Sequence, residues 1–419
     1  MKNIKRMTAA LAALSIAATM SSCGTPTIGS GSSTALTVDG YDIKAGIFIF
    51  YTMQSYNDAK SQLAEDMDGA TPTLEQVEDA QLDGVDSTQW IQDKATQYCS
   101  DFVAIQKEFD KIGGELSAED LDEIDTMVQN IVAQDTQYHY ISNGISEDSL
   151  REIASVGYKS DFIFNYYYGT DSEQGMSEDE LKDYFNNNFA RVKYVNLSYL
   201  DADGNALDES GKKKIRDMAN DYAKRVNSKS STEEKLFEMN DVISDYNEYV
   251  ASLSAVEEET ETEAVTTTTT VAEAETTTTT TTTTGAHDNE RIIQKPTTAS
   301  SEEEKNESAE TTTQSASQKS AENLNNYIFD KLPEAEYNKA VVLDDEENDS
   351  IYVIIRADLK ERLNDDDLWV DSNIEYLQSL NFSEDFTDYM KKISDAYEVD
   401  RNNSAYSRYK PFDDDIVLE

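Results

Sequence analysis

Few side chains in this sequence have the chemistry of catalysis or metal binding. The chain has two Cys, Cys23 and Cys99, and two His, His139 and His287. That count excludes a disulfide scaffold and a four-thiolate zinc site. Cys99 lies among Ile91, Ala95, Tyr98, Phe102, Ile105, Phe109 and Ile112. Their steps of four and three make a helical stripe. Cys99 flanks it and reads as a small buried apolar residue, without the cationic neighbours that activate a thiol. His139 falls near a predicted helix C-terminus, where a cation is mildly favoured. His287 falls in a stretch read as unstructured. The triplets Asp365-Asp366-Asp367 and Asp413-Asp414-Asp415 lack EF-hand spacing and its Gly, and read as solvated surface charge. No Gly-x-Gly-x-x-Gly, Walker A or Gly-x-Ser-x-Gly pattern occurs. No catalytic residue, metal or cofactor is expected.

The remaining chemistry is charge and aromatic surface. The 419 residues include 84 Asp plus Glu against 35 Lys plus Arg, a net charge of −49. Nucleic-acid binding needs a basic face, and so does an electrostatic hold on anionic lipid, so neither is expected. Such a surface steers basic or neutral partners instead. Tyr is abundant at 24, with a cluster at Tyr166-Tyr167-Tyr168. Rings with a polar edge suit adaptable binding of polypeptide, although most should face the core.

The N-terminus reads as an address. Lys2, Lys5 and Arg6 precede a short apolar run, Met7 to Met20, then Ser21-Ser22-Cys23-Gly24. This is the pattern of a secretory signal peptide over 1–22, too short to span a bilayer as an ordinary helix. The ending resembles a bacterial lipobox, in which the thiol of Cys23 receives the lipid. Met20 departs from its usual Leu. Residues 23–33 would form the lipidated Cys and a flexible tether. The protein is then expected on the extracytoplasmic face of the cell membrane, held there by its lipid.

The elements that follow are mainly helical. Leu36-Thr37-Val38 and the turn pair Asp39-Gly40 precede an apolar helix from about Ile43 to Glu65, expected to be central. A helix from about Ser87 stops at Gly113-Gly114. Ser117 opens the next, which Gly144 ends; Ser146 opens another, which Gly169 closes; Ser177 to Glu180 form a capping box. Val192 to Leu200 alternate as a strand, and 208–250 read as helical. Residues 256–320 hold 21 Thr among many acids, and Val250 to Asn326 contain no aromatic residue. Such a segment buries too little apolar surface to order itself, and reads as a disordered insert. Ala340 to Leu343 and Ile351 to Ile355 read as strands around an acidic hairpin. Two helices follow, one from about Asp367 and one capped by Ser383, then an extended tail.

This order of elements resembles the PrsA/SurA family of extracytoplasmic foldases. The resemblance is carried by Thr37-Val38-Asp39-Gly40 with its apolar helix and by Gly144 to Leu150. Met176 to Phe185 and Phe386 to Ile393 complete it. The fold class it implies is α+β, mainly α. A helical chaperone domain (34–190) would be completed by C-terminal helices (361–419). A parvulin-like domain (191–255 and 321–360) would be interrupted by the insert at 256–320. Aligned on the parvulin pattern, Asn196 and Val353 stand where that family has its two His, Phe329 marks the apolar substrate wall, and the Gly-Leu-Gly loop is absent. The resemblance implies a lipid-anchored chaperone for unfolded, exported polypeptides, without strong prolyl isomerase activity. An active isomerase, a solute-binding lipoprotein and a cell-surface interaction lipoprotein are the alternatives.

Overall fold

A hairpin begins the fold: β1 (Thr34–Val38) turns through Asp39 and Gly40 into β2 (Tyr41–Lys44). The turn holds φ of 45° at Asp39 and 78° at Gly40, the left-handed pair of a type I′ hairpin. The computed structural model describes residues 33–67, 69–170, 172–257, 287–296, 316–401, 406 and 408–412. Residues 1–32, with the signal-like segment and Cys23, lie outside the described residues, as do Asp413 to Asp415. The fold is α+β and mainly α. It divides into two units, Met1–Glu178 with Ile374–Glu419 and Asp179–Asn373.

The first unit is helical. After β2 come α1 (Ala45–Asp66), α2 (Leu74–Glu78), a small hairpin of β3 (Gln81–Leu82) and β4 (Val85–Asp86), and α3 (Ser87–Lys111). Then follow α4 (Ala118–Ala133), α5 (Asp135–Tyr138) and α6 (Glu147–Tyr168). The Ser caps act as their sequence suggests. Ser117 and Asp120 make a reciprocal capping box, and Ser146 Oγ accepts from Ser149 N. The helix opened at Ser117 ends at Ala133 rather than Gly144. Ile47, Phe48 and Ile49 of α1 pack with Phe102, Val103 and Cys99 of α3 in one core. Burial pushes the Cys99 thiol pKa far up, so it stays protonated.

The chain's end returns to this unit. The two helices expected after Asp367 are one, α11 (Asp371–Ser394). Ser383 is not a cap: its hydroxyl donates to the Ser379 carbonyl one turn back, which lets the helix run on. Met390 packs with Ala104, Ile105, Phe109 and Ile163. The tail forms β9 (Val399–Arg401), antiparallel to β1, with Val38 opposite Val399.

The second unit is built on a sheet. Its elements are α7 (Glu178–Asn188), β5 (Phe189–Ser198), α8 (Glu209–Asn227) and α9 (Thr232–Glu257). Then come β6 (Arg291–Gln294), α10 (Ala316–Asn326), β7 (Ala340–Asp345) and β8 (Ser350–Ala357). The order is β6-β5-β8-β7, all antiparallel. Alternation splits β5 and β8 between two cores. Val195, Leu197 and Val353 pack against Ile215, Ala219, Leu236 and Met239 of α8 and α9. On the other face, Val192, Tyr352 and Ile354 pack with Ile293, Leu324 and Ile328.

Three expectations change here. Residues 208–250 hold two helices, parted at Ser228–Ser231. Residues 179–190 and 361–373 belong with the sheet, where Phe185 packs at a tilt against Phe189 at 4.8 Å and lies 6.2 Å from Trp369. Part of the Thr-rich segment is structured, while its residues 258–286 and 297–315 lie outside the described residues. Its residues 291–294 form β6, paired with β5 from Phe189↔Gln294 to Val192↔Arg291, and α10 begins before residue 320. Two apolar residues suffice because β5 supplies the backbone partners and Ile293 the burial.

Candidate functional site

The sheet carries the three positions aligned with the parvulin pattern but does not assemble them. Asn196 is exposed and stands opposite Tyr352. Val353 is fully buried opposite Val195, under α8 and α9. Neighbouring register positions point to opposite faces, so Asn196 and Val353 cannot act on one substrate atom. Phe329 lies partly buried on the Tyr352 face, with the Arg356 guanidinium 5.4 Å from its ring centroid. That face offers Tyr352, whose hydroxyl meets Ser320 Oγ at 2.8 Å and whose pKa burial pushes up. It remains a phenol at neutral pH.

The chemistry that composition hid is a buried ion network at the end of β5. Glu290, just before β6, bridges two guanidiniums: Arg191 Nε at 2.8 Å and Arg362 Nη1 at 2.6 Å. All three side chains are at most 7% exposed. Arg362 is also clasped by Asp365 at 2.9 Å and Asp367 at 2.5 Å. The acidic triplet therefore grips an arginine instead of only facing solvent, because Arg362 would otherwise be buried with excess charge. His287, expected in unstructured chain, lies 3.3 Å from Glu290. His139 is the left-handed residue ending α5, with φ of 56°. Burial alone would raise the Glu290 pKa, but Arg191 and Arg362 outweigh it and hold the carboxyl below its ordinary value.

Beside this network, Lys193 is fully buried. Its ammonium donates to Leu236 O and Asn240 Oδ1, each at 2.9 Å. Burial pulls its pKa down to about 8. The unfolded chain holds that proton to about pH 10.4. Between these values the unfolded state binds more protons, so this group makes stability rise with pH. Against a Trp90→Phe background, Trp369 alone reports the sheet unit. There the urea midpoint is expected to gain more between pH 7.5 and 9.5 than it does with Lys193→Met added. An equal gain would mean that Lys193 keeps an ordinary pKa.

The helical unit holds a recess with the character of a binding site. α3, α6 and α11 enclose a groove of about 1040 Å³. Its walls are aromatic: Tyr98 of α3, Phe162, Phe164 and Tyr166 of α6, Tyr376 and Phe386 of α11. The run Phe162 to Tyr168 puts rings on every side of α6. Ile163 goes to the core, while Tyr167 meets Tyr389 edge to face and Tyr168 stacks on Phe382, each at 5.2 Å. That leaves Phe162 37% and Tyr166 53% exposed. The volume tops the roughly 300–1,000 Å³ of small-molecule sites.

A second carboxylate ties these three helices together. Glu108 of α3 is 3% exposed. It accepts from Tyr167 Oη of α6 at 2.5 Å, Tyr389 Oη of α11 at 2.7 Å and Lys111 Nζ at 2.9 Å. Burial works to raise its pKa, but these donors prevail and hold it below the ordinary value. The cluster thus fixes side chains of three helices on one carboxylate. Among the described residues, no three or more His, Cys, Asp or Glu form a metal-binding group, and no helix is long and apolar enough to cross a membrane. Comparison with protein-family models, with curated proteins and with solved structures finds no match to the chain.

Proposed function

We propose that the protein is a lipid-anchored, extracytoplasmic chaperone of the PrsA/SurA type, binding unfolded exported polypeptides without strong prolyl isomerase activity. The observation that carries this reading is the aromatic groove between α3, α6 and α11, with Phe162 and Tyr166 left open to solvent. Rings there can bury apolar side chains of a client reversibly, and the site needs no cofactor. The packing of α11 on α3 and α6, and the pairing of β9 with β1, support the likeness to a chaperone domain completed by its C-terminus. The Ser21-Ser22-Cys23-Gly24 sequence supports the anchor. The opposite facing of Asn196 and Val353 supports a sheet unit without isomerase chemistry.

The test is suppression of aggregation of a chemically unfolded model protein. The full-length protein is expected to suppress it, and Phe162→Ser with Tyr166→Ser to weaken suppression severalfold. Phe162 also packs edge-on against Phe109 at 5.2 Å, so the unfolding free energy should fall by about 1–3 kcal/mol, and the comparison is made at a temperature where the variant remains folded. A proline-limited refolding rate should stay unchanged. No suppression by the unaltered protein would sink the chaperone reading.

A further inference from the structure

We infer that the groove of the helical unit selects cationic amphipathic stretches: apolar or aromatic side chains flanked by Lys or Arg. This rests on the proposed client-binding role and names the client chemistry. Among the groove's rim residues are Asp101, Glu115, Asp161 and Glu375. Its basic lining residues are Lys94 and Lys391. Both are engaged: Lys391 Nζ lies 3.2 Å from Asp395, and Lys94 Nζ sits over Tyr98 and Trp90 at 5.3 and 5.9 Å. Asp120, also in the lining, is occupied in capping α4.

The lining thus sets five carboxylates against two ammoniums, a net negative charge beside ring faces, with Gln97 Nε2 donating to Asp101 at 3.1 Å. A guanidinium or ammonium can lie over Tyr or Phe while facing a carboxylate, and the two attractions add. An acidic stretch meets repulsion at the same rim. The chain's own Thr-rich segment is a poor occupant on both counts. Residues 258–286 contain six Glu, no Lys or Arg and no aromatic anchor.

The experiment uses full-length protein and two fluorescent peptides with one shared Phe and Leu pattern, flanked by Lys in one and by Glu in the other. Anisotropy should give the Lys peptide about tenfold or more higher affinity, because several individually weak charge pairs act together. The gap should close as salt shortens the screening length from about 10 Å at 0.1 M to about 3 Å at 1 M. Asp101→Asn, Glu115→Gln and Glu375→Gln together should shrink it severalfold. Asp221→Asn, Glu233→Gln and Glu347→Gln remove as much charge from the sheet unit and should leave it nearly intact. The salt series on unaltered protein stands even if the rim variant folds poorly.

Equal affinity for both peptides overturns the inference. So does an equal effect of the control variant, which would assign the preference to the whole acidic surface. So does tighter binding of a peptide with the sequence of residues 258–286. If both peptides bind equally and Phe162→Ser with Tyr166→Ser abolishes binding, client binding survives and only the charge selection falls. If neither binds, the client-binding reading falls with it.

Discussion

Replacing Glu290 by Ala is expected to cost the sheet unit about 3–5 kcal/mol, the usual result of removing one partner from a buried ion pair. Arg191 and Arg362 would be left facing each other, both nearly inaccessible to solvent, across the space the carboxylate fills. Asp365 and Asp367 still hold Arg362, so the larger loss falls on Arg191, which among the described residues keeps Glu361 and the Asp358 carbonyl, each at 3.3 Å. The strand depends on the same contact, because Glu290 immediately precedes β6. Urea unfolding followed through Trp369 in the Trp90→Phe background reads the cost in the unit that holds the network. Glu290→Gln should fall between Ala and the natural residue, keeping shape and one acceptor but losing charge. The pH dependence has a definite sign. The folded pKa lies below the unfolded one, so the carboxylate's contribution is full above about pH 4.3 and is lost as pH falls through the folded value. A cost under about 1 kcal/mol for Glu290→Ala would show that solvent or rearranged acids satisfy both arginines, and that β6 is held by its ladder alone.

Glu290 also marks where sequence reasoning stops. The residues Arg291-Ile292-Ile293-Gln294 sit among Thr, Ser and Glu, and two adjacent Ile show neither strand alternation nor a helical stripe. What orders them is non-local: a ladder to β5, a buried Ile293 and an ion pair to residues far along the chain. Composition cannot report such partners. Locally encoded features were legible. Asp39-Gly40 turns the first hairpin, Ser117 and Ser146 cap α4 and α6, and β7 and β8 flank their acidic hairpin. One local signal was overlooked. Ser228-Lys229-Ser230-Ser231 parts α8 from α9, and Ser231 Oγ accepts from Glu234 N at 3.1 Å while Glu234 accepts from Ser231 N. The groove was half legible. The rings of α6 stand out in the sequence, but which ones remain exposed depends on how α11 packs over Tyr167 and Tyr168.

That packing makes Glu108 the second position of large expected effect. It accepts from donors on three helices, and hydrogen bonds to a charged group contribute about 1.5–3 kcal/mol each. Glu108→Ala is therefore expected to cost the helical unit about 3 kcal/mol. The Lys111 term is discounted because that side chain is mostly exposed. The Tyr167 and Tyr389 hydroxyls, already 3.3 Å apart, can only partly satisfy each other. Tyr389→Phe removes one donor and should cost less than half as much. A double-mutant cycle with Glu108→Gln should show coupling of about 1 kcal/mol, since the two residues share one bond. Trp90, in a Trp369→Phe background, reports this unit. The acid limb carries the same sign as for Glu290, because the folded carboxyl again lies below its ordinary pKa: stability is present above about pH 4.3 and lost below, and Glu108→Gln should flatten that limb. The groove adds a readout that stability alone does not give. Loss of the tie from α3 to Tyr167 and Tyr389 frees α11 to shift against α6, so the variant should lose peptide affinity severalfold at a temperature where it remains folded. Unchanged affinity in a destabilised but folded Glu108→Ala would separate the two, leaving the carboxylate as a structural tie with no part in shaping the groove.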